Sequence, residues 1–145
     1  MLEYLVACLD AGDYRIRMNA LCVMDILVKE HPEVVRPYVP KLASMTGEEH
    51  RAVSNYASIT LMHVARSDPA SIPRDAVSKF MERLGSNDDF QKMDAMVMLE
   101  VLAEKDPSTA SQYRERLKEY GTAPKVNAMI KGRALRLLAK LEKGA

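Results

Sequence analysis

The chain has 145 residues and a formal net charge of +1, with 48% hydrophobic residues, 6% aromatic residues, ten Met, two Cys and no Trp. That length provides one domain's worth of core without disulfide or metal staples, and the near-neutral charge gives no global pull toward nucleic acid or an anionic membrane. No apolar run reaches the length of a membrane-spanning helix, and Met1-Leu2-Glu3-Tyr4-Leu5 lacks the basic start of a signal peptide, so a soluble cytoplasmic protein is expected.

Good helix formers dominate and strand-like alternation is missing, so each element reads as a helix. A short one over Leu2 to Ala11 carries the stripe Leu2, Leu5, Val6 and Leu9. After Gly12, a long helix opens on Asp13 and repeats apolar residues at Ile16, Ala20, Met24 and Leu27, ending at His31-Pro32. A second short segment runs from Pro37 to Met45, with Pro40 in its first turn, and a long helix led by His50 follows, with Val53, Ala57, Leu61 and Val64. The third pair is Pro73 to Leu84, with Phe80, Met81 and Leu84, and a long helix opened by Asp88, with Gln91, Ala95, Leu99 and Leu102. The fourth is about Ala110 to Tyr120, with Tyr113, Leu117 and Tyr120, and a long helix opened by Asn127, with Ile130, Ala134, Leu138 and Leu141.

These pairs are copies of one another. Successive long-helix registers are offset by 37, 38 and 39 residues. His31-Pro32, Asp68-Pro69 and Asp106-Pro107 recur at 37 and 38, each able to end one helix and start the next. Gly12, Gly47, Gly85 and Gly121 recur at 35, 38 and 36, and suit left-handed positions just past helix ends. A helical hairpin cannot cover its own apolar face, so each copy is expected to bury it against a neighbour.

The stretch Asp13-Tyr14-Arg15-Ile16-Arg17-Met18-Asn19-Ala20, following the turn Leu9 to Asp13, resembles the acidic turn, Val-Arg and Ala signature that opens the second helix of HEAT repeats. The likeness covers the chain as units of about 1–30, 31–67, 68–105 and 106–145, with Ser54, Lys92 and Lys131 at the arginine position. It implies an all-α fold: an α-α superhelix of about four stacked HEAT-like hairpins, about eight helices, forming a single α-solenoid domain over residues 1–145. Armadillo-like arrays share this period. The resemblance further implies that the second helices line a concave surface where a partner lies.

The face opposite the apolar register is therefore the candidate binding surface. Its residues are Cys22, Asp25 and Lys29 in the first unit, Tyr56, Ile59, Met62 and Arg66 in the second, Val97, Glu100 and Glu104 in the third, and Arg136 and Lys143 in the fourth. An apolar centre with charged ends suits a protein or peptide better than a phosphate backbone. The alternative is a nucleic-acid or anionic ligand on the basic last unit, where residues 106–145 hold nine Lys/Arg against four Asp/Glu, Lys125 among them.

Other constellations read as structural. His31, His50 and His63 match no metal spacing, and no nucleophile, Walker or dinucleotide motif occurs, so no catalytic residue, metal or cofactor is expected. Asp88-Asp89 and Glu48-Glu49 open helices. Met81, Met93, Met96 and Met98 read as core rather than as a Met-rich binding groove, with Val23 and Leu137 at the position of Met98. Cys8 and Cys22 read as buried, reduced and apolar. Leu21 and Val28 occupy a flank where later units carry smaller residues, and are expected to face outward as an edge for self-association through the first unit.

Overall fold

A computed structural model describes residues 1–122 and 127–144, and all the regular structure in them is helical. The helices are α1 (Leu2–Cys8), α2 (Tyr14–Glu30), α3 (Pro32–Val35), α4 (Val39–Met45), α5 (Arg51–Ser67), α6 (Arg74–Arg83), α7 (Asp89–Ala103), α8 (Pro107–Thr122) and α9 (Ala128–Lys143). Single 3-10 turns at Arg36–Tyr38 and Pro69–Ser71 complete them. The fold is all-α.

Local chemistry sets most of the boundaries. Asp13, Asp88 and Asn127 each accept a hydrogen bond from the backbone N–H two residues on, at 2.9 Å, satisfying a donor that the first turn leaves free. His50 stands at the same place before α5 but makes no such bond; its ring stacks on Tyr14 with centroids 4.0 Å apart. Pro32 opens α3 and Pro107 opens α8, positions where a missing N–H goes unnoticed. The short helix expected over Pro37 to Met45 begins at Val39 as α4, after a 3-10 turn that contains Pro37, and a further short helix, α3, precedes it. The short-long alternation also lapses at α8, whose 16 residues match the 16 of α9.

The helices gather into two compact units, Met1–Ala76 and Val77–Ala145. In the first, α2 and α5 pack along their length, α4 covers α5, and α1 and α3 lie on α2. Leu21, Met24, Leu42, Val53, Ala57 and Leu61 are completely enclosed. In the second, α8 packs against both α7 and α9. Tyr113 and Leu117 on α8 and Ile130 and Ala134 on α9 are likewise enclosed, and the Tyr113 hydroxyl donates to the Met96 carbonyl at 3.0 Å.

Several expectations are corrected. Leu21 and Val28 do not face outward: they are 0% and 2% exposed, because the side of α2 that bears them is the side on which α5 packs. Val23, read as core, is 45% exposed, and Ile16, placed in the apolar register, is 46% exposed. Cys8 and Cys22 are free thiols, but half-buried rather than enclosed. No glycine among the described residues has a positive φ, and Gly121 lies within α8, so helix ends are made without left-handed residues. Met81, Met96 and Met98 are buried, as read, whereas Met93 is half-buried.

Candidate functional site

In the first unit α2 and α5 run side by side in the same direction. Tyr14 meets His50 where both helices start, the Thr60 hydroxyl lies 3.5 Å from the Leu21 carbonyl midway, and Asp25 meets His63 further along. The sequence separations, 36, 39 and 38, match the offset of the sequence repeat. Positions related by that offset therefore fall on the same side of the two helices. Cys22, Asp25 and Lys29 on α2 share a side with Ile59, Met62 and Arg66 on α5, with Tyr56 one turn earlier. None of the seven is fully buried.

The seam between these helices is electrostatic. His63 Nδ1 lies 2.5 Å from Asp25 Oδ1, and Lys29 Nζ lies 2.7 Å from Oδ2. A carboxylate only accepts, so the imidazole N–H donates. Burial opposes charge on Asp25, but the hydrogen bonds from Lys29 and His63 outweigh it and hold the carboxyl below its ordinary value. No other side chain among the described residues is within hydrogen-bond reach of the His63 ring, and the pair ties the two helices together. Arg17 and Glu48, 2.6 Å apart, add a second tie from α2 to the turn before α5.

In the second unit, where α7 and α9 each pack chiefly on α8, polar side chains tie α7 to α9. Asn127 Nδ2 donates to Asp89 at 3.3 Å near the helix starts, and Lys140 Nζ lies 3.2 Å from Glu100 and 3.1 Å from Glu104. These carboxylates hold Lys140 above its ordinary value, Glu104 contributing most. Arg133 reaches Glu100 at 3.4 Å. These helices too are parallel. Val97 and Glu100 lie on α7, Glu104 just past its end, and Arg136 and Lys143 on α9, all half-buried or exposed.

Asp25 and Glu100 occupy the same register position, and His63 and Lys140 the one that follows it in the next copy. The sequence reading named the acids and missed these bases. Pairing each acid with the position one residue past its equivalent in the next repeat would have found them.

No protein-family model matches the chain, and neither does any curated protein or solved structure. The site is accordingly read from its own geometry. No group of three or more His, Cys, Asp or Glu among the described residues is placed to hold a metal. A depression between α6 and α8 is rimmed by Ser111, Gln112, Glu115, Arg116 and Glu119 over Met81, and its charges are tied to one another or to Lys118. Arg66, Arg136 and Lys143 have no charged partner among the described residues. Lys125 lies outside them. No helix among them is long and apolar enough to cross a membrane.

Proposed function

We propose that the chain is a non-enzymatic interaction scaffold of the HEAT-like kind, working in the cytoplasm without a cofactor and taking a protein or peptide along its long helices. The observation that supports this is the strip on the first unit: half-buried Cys22, Ile59 and Met62 on two parallel helices, rimmed by Asp25, Lys29 and Arg66. Apolar atoms left partly open within a ring of fixed charge suit a folded or helical polypeptide, which contributes both kinds of contact. Val97, Glu100, Glu104, Arg136 and Lys143 on the second unit belong to the same reading.

The nucleic-acid alternative has less support, because four cations of the basic segment, Arg116, Lys118, Arg133 and Lys140, are already matched to carboxylates. The test is affinity capture with the wild-type chain, Met62→Glu, and Ser44→Glu on the exposed side of α4. A partner lost with Met62→Glu and kept with Ser44→Glu, both variants folded, supports the strip. Capture that is indifferent to Met62→Glu removes it. Binding to DNA or RNA that falls steeply with salt would favour the alternative.

A further inference from the structure

Two residues left exposed at the start and end of the repeat register stand at positions that the other three copies bury. Val23 is 45% exposed, yet its equivalents Thr60, Met98 and Leu137 are all buried. Leu135 is 48% exposed, yet its equivalents Leu21, Ser58 and Met96 are all buried. The contacts within the units explain what these positions do. Thr60, at the Val23 position, reaches back to Leu21, at the Leu135 position. His63 and Lys140, at the position of Ile26, reach back to Asp25 and Glu100, at the position of Ala139.

On α2 the backward-reaching Val23 and Ile26 are thus left open, and on α9 the receiving Leu135 and Ala139 are left open. The chemistry of the two ends agrees. Of the three inner register pairs, Asp25 with His63 and Glu100 with Lys140 set an acid against a base and Met62 with Val101 is apolar; the ends likewise offer Ile26, 56% exposed, and the exposed Ala139. A histidine or lysine at position 26 would have no acid to meet at position 139, and an acid there would have no base. Tyr4 follows the same rule: it is 78% exposed, and its equivalent Lys41 reaches back to Asp10 of the preceding turn.

We propose that the chain associates head to tail with copies of itself, Val23 and Ile26 on α2 of one copy seating on Leu135 and Ala139 on α9 of the next. A second copy is the occupant that fits, because it brings the missing half of each pair in the parallel orientation that α2 and α5, and α7 and α9, already adopt. Charge agrees: residues 77–145, which include α9, carry 13 Lys/Arg against ten Asp/Glu, whereas residues 1–76, which include α2, carry eight against ten. Two α2 faces meeting about a two-fold axis would instead bring like-charged bodies together. A heterologous contact of this kind uses different surfaces on the two partners and leaves a free face at each end, so assembly continues past the dimer unless the ring closes.

Sedimentation and light scattering of the full chain test this. The mean mass should rise with concentration to beyond twice the monomer. Ile26→Glu and Leu135→Glu, each at a half-exposed site, should each be monomeric, and an equimolar mixture should form a species of twice the monomer mass, because each variant retains the face that the other lacks. If either loses its helical circular dichroism, Ile26→Thr and Leu135→Ser carry the same comparison. A wild-type chain that stays monomeric at millimolar concentration overturns the proposal. So does a Leu135→Glu variant that still dimerises while Ile26→Glu does not, which would mean α2 pairing with α2, and so does a mixture that forms no complex.

Discussion

His63 on α5 donates to Asp25 on α2 across 2.5 Å, while Lys29 holds the other carboxylate oxygen at 2.7 Å. One carboxylate thereby fixes the register of two parallel helices 38 residues apart in sequence. His63→Ala should lower the unfolding free energy by about 1 kcal/mol, the scale of a charge-assisted bond that is partly screened by solvent. A carboxyl held below its unfolded value of 3.8 binds fewer protons in the folded state, so its contribution is complete above that value and fades as pH falls through the lower folded-state value. Asp25→Asn should therefore flatten the acid side of the stability curve. Urea unfolding in steps from neutral pH to about pH 3 measures both effects.

Asp94 on α7 behaves in the opposite way. Burial pushes its carboxyl up to about 6, against the pull of Arg83 and with a further push from Asp88. A raised folded-state value means that stability is fully present below about pH 4 and is lost as pH rises through about 6. Asp94→Asn keeps the shape and removes the charge. It should stabilise the protein at pH 7 by about 1 kcal/mol, after discounting for the carboxyl's partial exposure, and the gain should vanish in acid. Thermal melts of both proteins at pH 4 and pH 7 decide it.

The sequence shows the helices and caps plainly, because apolar spacing and the N-cap chemistry of Asp13, Asp88 and Asn127 are local signals. It also shows the repeat, since the offsets of 37 to 39 reappear as contacts at 38 and 39. What it hides is which flank of a helix meets the neighbouring copy. Leu21 and Val23 are both apolar, two residues apart on α2, and only the position of α5 separates the enclosed one from the exposed one. The bases at His63 and Lys140 were hidden for the same reason: a partner a whole repeat away leaves no local signature.

That distinction is directly testable. Leu21→Glu puts an unpaired charge where the side chain has 0% exposure and should destabilise the protein by roughly 4 kcal/mol or more. Val23→Glu, two residues on, should leave the melting temperature nearly unchanged when both proteins are dilute enough to be monomeric. Equal melting temperatures for the two would mean that α5 does not cover Leu21.

Tyr113 separates packing from hydrogen bonding in the second unit. Its ring on α8 is completely enclosed, and its hydroxyl donates to the Met96 carbonyl of α7 at 3.0 Å. Tyr113→Phe keeps the ring and removes one buried hydrogen bond, for a loss of about 1 kcal/mol. Tyr113→Ala also empties the space the ring fills and should lose roughly 3–5 kcal/mol. Burial pushes the phenol well above its ordinary value of 10.0, so its contribution is fully present below that pH and is lost as alkali draws the proton from the unfolded chain first. Tyr113→Phe should therefore weaken the fall in stability above pH 10 without abolishing it, because Tyr120, pushed up to about 12 by burial, remains. Denaturant melts of the wild type and Tyr113→Phe on either side of that pH give the comparison. An unchanged alkaline limb would place the phenol in water and break the α7–α8 contact on which the packing of the second unit rests.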